Sequence, residues 1–300
     1  SISVCEVTQT DIDRAIAIAS LEGVIMTTFG DMMRVPGTCG SFNKAKENGA
    51  DIRVVYSPLD TLSIAEDNPN KRVVFMGVGF ETTAPTIAAT VLEAKKMGLK
   101  NIFFLSNFKL VFPALSVLLN SDKVNIDGFI CPGHVSVITG IGPYEPIAKK
   151  HKKPCVIMGF DAEDILRGIR RLIEKARDKS YNVEIEYKRV VTKAGNAKAR
   201  RVLSEVFSAC DSEWRGVGEI PRSGLRLRKE FRDFDSQREF SIKIPKSKPP
   251  KGCLCGNVLQ GISSPRDCKL FGKACTPLKP IGPCMVSSEG TCAAFYKYKV

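Results

Sequence analysis

Over its first 180 residues the chain alternates short apolar runs with amphipathic stretches. Ile12, Ala15, Ile16 and Ala19 share one helical face, and Thr10 or Asp11 stands where an N-cap is needed. VIMTTF at 24–29 reads as a strand that ends in Gly-Asp-Met-Met-Arg-Val-Pro-Gly. A short helix is predicted over about 41–48, followed by the strand IRVVYS at 52–57, with Pro58 in the first turn of the next helix. RVVFMGVG (72–79), NIFFLSN (101–107), GFICPG (128–133) and PCVIMGF (154–160) are further strand runs. Helices open near Pro85 and Pro113, and Asp161 caps a long amphipathic helix that runs to about Asp178. This repeated strand-then-helix order predicts an α/β fold of parallel sheets with helices on both faces. The polar break DNPNK at 67–71 divides it into two doubly wound domains, 1–68 and 69–242.

Beyond 182 the pattern loosens into one more helix, within GNAKARRVLSEVFSA, and a Gly- and Arg-rich stretch that starts at Trp214. The Lys/Pro linker KIPKSKPPKG (243–252) then delivers the chain to a third part, 243–300, that has almost no apolar periodicity. Six of the eleven cysteines lie there: Cys253, Cys255, Cys268, Cys275, Cys284 and Cys292. The glycines and prolines between them favour tight turns over helices and strands, so this segment must be held by a metal or by disulfides. Three readings stay open. Disulfides need an oxidising compartment, and no signal peptide or 18-residue apolar run is present. Zinc usually takes two C-x2–4-C knuckles, and only one C-x-C occurs. An iron–sulfur cluster accepts irregular spacing, because its thiolates arrive from separate turns, and this reading leads.

Composition narrows the function further. A 43% apolar content suits a globular fold and excludes disorder. The formal charge of +13 would suit an acidic or nucleic-acid partner, yet no nucleic-acid motif accompanies it. Much of the excess lies on solvated helix faces (Arg167, Arg170, Arg171, Lys175) and in the linker, as on a robust basic surface. With only two histidines, His134 and His151, a histidine-rich metal site is ruled out. Ligands in such sheets sit beyond the carboxyl ends of strands, which singles out four loops: 28–31, 79–83, 106–107 and 132–134. None holds G-x-G-x-x-G or a Walker lysine. Thr82, Thr83 and Asn107 serve equally well as caps or turn residues. His134 is a candidate catalytic group because it follows Pro-Gly and precedes Ser136; the plainer alternative is a hydrogen-bonded loop residue. Cys39, Cys131, Cys155 and Cys210 read as ordinary buried or half-buried thiols, with Cys131 set apart by its place before that loop.

Six stretches carry a resemblance: TFGDMMRVPG (28–37), VVYSPLD (54–60), GFETTAP (79–85), PGHVS (132–136), EWRGVGEIPRSGLRLR (213–228) and DCKLFGKACTPLKPIGPCMVSSEGTCAAFY (267–296). In these the chain resembles the HypD family of [NiFe]-hydrogenase maturation proteins along nearly its whole length. The resemblance implies two α/β domains around a cleft and a C-terminal part bearing a [4Fe–4S] cluster held by four of the six cysteines. It implies a scaffold more than a conventional enzyme, on which an Fe(CN)2CO group is built as transient cargo. HypC, a small chaperone, and HypE, the cyanide donor, would be its partners. Cytoplasmic location and a monomeric free state are expected with it, and thiol redox chemistry beside the cluster. Glu289 matches a family position held to be functional. Other features depart from the family. The Met-Glu-Val-Cys-Gly-x-His segment that carries the family's iron-binding cysteine has no counterpart, and of Gly-Pro-Gly-Cys-Pro-Val-Cys only the second cysteine remains, as Cys5. The abrupt start inside a motif suggests that an N-terminal part is missing. Phe108 stands where the family has histidine, and its ring can neither ligate a metal nor donate a proton. A free-standing iron–sulfur thiol–disulfide oxidoreductase and a zinc-stapled interaction module are the alternatives.

Overall fold

A computed structural model describes residues 7–38, 40–120, 126–215, 217–244, 250–288 and 290–298. Its first sheet joins β1 (Val24–Thr28), β2 (Asp51–Val54), β3 (Arg72–Gly79) and β4 (Ile102–Phe108) in the parallel order β2-β1-β3-β4. The near-continuous apolar runs follow from burial on both faces. Alternate strand residues go to opposite sides. Val24, Met26, Val74 and Met76 pack with Ile12 and Ile18 of α1 (Gln9–Ala19) and with Phe42 of α2 (Phe42–Glu47). Ile25, Val73 and Phe75 pack with Leu62 of α3 (Asp60–Asp67) and with Ile87 and Val91 of α4 (Ala84–Lys96). The cap of α1 is Thr8, a little earlier than expected: its hydroxyl accepts from Asp11 N at 3.1 Å, while the Asp11 carboxylate accepts from Thr8 N at 3.1 Å.

The expected boundary at 67–71 falls inside this sheet. β3 pairs with β1 from Val24–Arg72 to Thr27–Phe75, so β1 and β2 share one sheet with β3 and β4 across the expected boundary. The polar break is the turn that leads from α3 into a neighbouring strand.

A second parallel sheet, order β5-β6-β7, is built from β5 (Phe129–Pro132), β6 (Cys155–Met158) and β7 (Val183–Ile185). Tyr144 and Ala148 of α7 (Tyr144–His151) pack on one face with Cys131, Cys155 and Ile157. On the other lies α8 (Ala162–Arg177), where Gly168 lets Met158 approach: a Cβ there would meet its Cε at 2.3 Å. Two elements bridge the units and cap the second sheet, α5 (Val111–Leu119) and α6 (Gly133–Thr139). The chain then returns to the first unit. After α9 (Ala197–Val206), β8 (Phe207–Trp214) and β9 (Gly218–Leu227) form an antiparallel hairpin in the stretch that had read as irregular. Ser106 Oγ donates to Leu225 O at 2.6 Å and Leu110 N to Ser223 O at 2.8 Å, which seats the hairpin against the end of β4. A bridge from Phe104 to Asp235, just before α10 (Ser236–Glu239), completes the return. The first unit is therefore discontinuous in sequence, with the second inserted into it.

Lys109 ties these parts together. Its side chain is 2% exposed, and its Nζ donates to Ser212 Oγ and to Glu213 O, both at 2.7 Å, with Asp11 Oδ2 3.6 Å away. A buried ammonium is tolerated only with such partners, and taking it away leaves theirs unmet. Lys109→Met should destabilise the protein by about 3 kcal/mol. Urea unfolding followed by circular dichroism measures this; an unchanged midpoint would contradict the assigned role.

Candidate functional site

The cysteine segment makes only short elements: α11 (Cys255–Leu259), 3-10 turns at Pro265–Asp267 and Pro283–Met285, and α12 (Thr291–Tyr298). Each delivers a thiol. Cys255 opens α11, Cys268 follows the first turn, Cys284 lies in the second and Cys292 in the first turn of α12. Ser264 and Asp267 form a capping box that fixes the turn before Cys268. The segment leans on the first unit rather than on a core of its own. Val286 enters the core beneath α1 and α2, and Arg34, in the loop after β1, donates to Val286 O at 3.2 Å.

All six cysteines line one small cavity, and its other walls are Leu254, Val258, Leu270, Phe271, Gly282 and Met285. The lining offers sulfur donors and hydrocarbon, with no side-chain oxygen or nitrogen. Gly282 makes room for this: a Cβ there would stand 2.9 Å from Cys253 Sγ. The Sγ atoms of Cys255 and Cys284 are 2.8 Å apart, and Cys253 and Cys292 pack beside them. Cys275 Sγ accepts from Ile281 N at 3.3 Å, and Cys268 Sγ donates to Gly252 O at 3.5 Å. Thiol hydrogen bonds run from Cys253 to Cys255, from Cys255 to Cys284 and from Cys284 to Cys292. Hydrogen bonds from Cys253 and Cys284 pull the Cys255 thiol far down, and the Arg215 charge adds to this. Cys253 is pushed up, first by its bond to Cys255 and then by burial. The hydrogen bond with Cys284 lowers Cys292. Among the described residues no three His, Cys, Asp or Glu side chains already stand as ligands of a single ion. The donor set itself, all soft sulfur in a dry pocket, fits an iron–sulfur cluster.

Of the other predicted residues, those that are described do not line this cavity. His134 is exposed on the first turn of α6, its ring 4.5 Å from that of Phe160. Cys5 and Glu289 lie outside the described residues, as does Cys39. Cys131 and Cys155 are buried neighbours on β5 and β6, where their mutual hydrogen bond, with burial, raises the Cys131 thiol. Phe108 has become a packing residue. It is 2% exposed, meets Phe207 edge-to-face at 5.3 Å, and would lie 3.0 Å from a Cβ at Gly77.

At the carboxyl ends of the first sheet, Thr28 Oγ1 and Asn107 Nδ2 are buried with no hydrogen-bond partner among the described residues. Both belong to strand-end loops singled out in the sequence, 28–31 and 106–107. Glu81 also lies there, and only its loop had been singled out. It is 5% exposed and accepts from Val111 N at 3.0 Å, tying the end of β3 to the start of α5. Burial raises its carboxyl from an ordinary 4.5 to about 7, against the lowering effect of its backbone hydrogen bonds. Between those values the folded chain binds a proton that the unfolded chain does not. This contribution is complete below pH 4.5 and fades as pH rises through 7, a loss of about 3 kcal/mol. Glu81→Gln, which keeps an acceptor for Val111, should flatten that fall and exceed the parent in stability at pH 8. Thermal melts at pH 5 and pH 8 read the difference; parallel profiles would contradict it.

A sequence model described as "HypD: Hydrogenase formation hypA family" matches residues 2–299. A putative hydrogenase expression/formation protein of Methanocaldococcus jannaschii is 43% identical over 99% of this chain and 82% of its own length. Hydrogenase maturation factor HypD2 of Bradyrhizobium diazoefficiens is 43% identical over 98% of this chain and 80% of its own. Hydrogenase maturation factor HypD of Escherichia coli is 42% identical, covering 99% and 80%.

Proposed function

The chain belongs to the HypD hydrogenase formation family, and from that premise we propose that it is the scaffold on which the Fe(CN)2CO group of a [NiFe] hydrogenase is assembled. Its general role is in hydrogenase maturation. The finer reading, with a HypC-type chaperone and HypE as partners, rests on one observation above others: six cysteines from separate turns line a single apolar cavity.

Four of the six thiols that line the cavity would hold a [4Fe–4S] cluster. When bound, the cluster would supply single electrons to thiol chemistry at its side. The protein's own part is to exclude water and hold the sulfurs. Leu254, Val258 and Phe271 keep the cavity dry, and Arg34 and Val286 pin the segment to the first sheet. The cargo iron is the substrate. Low-valent iron with cyanide and CO wants soft ligands and shelter from water. No helix of the described residues is long and apolar enough to cross a membrane; we place the protein in the cytoplasm, where thiolates stay reduced.

The close Cys255–Cys284 approach also supports a second reading, a free-standing thiol–disulfide oxidoreductase. Anaerobic co-expression with a HypC-type chaperone separates the two. The scaffold reading predicts a stable complex whose infrared spectrum carries bands of iron-bound cyanide and CO, and their loss in Cys284→Ser. Absence of a complex, with turnover of a small disulfide, would overturn it in favour of the oxidoreductase.

A further inference from the structure

Arg215 belongs to the EWRG stretch and has no part in the scheme above. It lies at the turn after β8 and is 9% exposed. Its guanidinium keeps its proton at any physiological pH, so a full positive charge is buried there. Burying it costs several kcal/mol unless negative charge lies nearby.

Arg215 lines one pocket together with Cys253 and Cys255, and Thr8 and Gln9 of the α1 cap line it too. Glu213 also lines the pocket but is exposed to solvent. The backbone that carries Arg215 is fixed. Trp214, the preceding residue, donates from Nε1 to Ser223 Oγ at 2.7 Å, and its ring meets Phe80 at 6.2 Å. One step further back, Lys109 Nζ holds Glu213 O at 2.7 Å. A charge that is 9% exposed and held on a fixed backbone is screened less than a surface charge.

We propose that Arg215 is a positioning residue for redox: the fixed positive charge that raises the reduction potential of the group bound by the Cys253–Cys255 arm. The inference rests on the iron–sulfur reading. Reduction by one electron, from dithionite in the test below, adds one negative charge to the thiolate-bound group. A neighbouring cation stabilises that added charge and favours the reduced form. Arg215→Lys keeps the charge and loses the planar fork; Arg215→Gln keeps hydrogen-bonding capacity and loses the charge.

The experiment is a dithionite titration of the visible absorbance of full-length, anaerobically purified parent, R215Q and R215K. R215Q should titrate at a more negative potential than the parent, and R215K should return most of the way to it. Equal potentials in R215Q and the parent would overturn the proposal. R215K carries the decision where R215Q does not keep its iron: with the charge kept, its potential should stay close to the parent's, and a potential well below the parent's would overturn the proposal. A parent that holds no iron and sulfide sinks the cluster reading, and the proposal that rests on it, while equal potentials sink the proposal alone.

Discussion

The ammonium of Lys109 lies almost wholly out of water, so its charge has to be met by groups brought to it. Those groups come from two separate elements: Ser212 and Glu213 on the returning hairpin, and Asp11 in the first turn of α1. Asp11 is also half of the capping box with Thr8. One buried charge at the end of β4 thereby fixes the hairpin end that carries Arg215 and the helix end that carries Thr8 and Gln9. These line one pocket with Cys253 and Cys255. Trp214, through Ser223 and Phe80, helps to hold the same wall.

The cysteine segment has the opposite character. It lacks the apolar periodicity to fold alone, and its few hydrophobic residues are divided between the thiol cavity and the first unit. Val286 enters the main core, while Met285 faces the thiols. Docking supplies one anchor for such a segment. Under the proposed reading, a ligand shared by the sulfurs would supply a second, where Cys253, Cys255, Cys284 and Cys292 pack together.

Much of this was legible in the sequence, and the failures have physical causes. RVVFMGVG at 72–79 reads as a buried strand and is one, because a run apolar on both faces fits only a covered parallel sheet. The boundary at 67–71 misled because polar turn residues look the same within a sheet as between domains; strand order is a non-local property. The β8–β9 hairpin was missed since neither the mostly polar β8, FSACDSEW, nor the Gly- and Arg-bearing β9 carries a clean alternation, and one of its residues, Arg222, has φ 54°. The cysteine cluster was plain from composition, but Lys109 and Arg215 were not. A buried lysine and a surface lysine are the same letter until the partners are placed. Phe108 shows the converse: read as a lost histidine, it is in the fold a ring that fills the space left by Gly77.

Whether the six thiols surround a cluster is tested most directly by metal and acid-labile sulfide per chain in anaerobically purified protein, with a visible spectrum alongside. About four iron and four sulfide, with a broad band at roughly 400 nm, is the predicted result. Zinc in place of iron, with no sulfide and no visible band, would contradict it and leave the segment a structural staple.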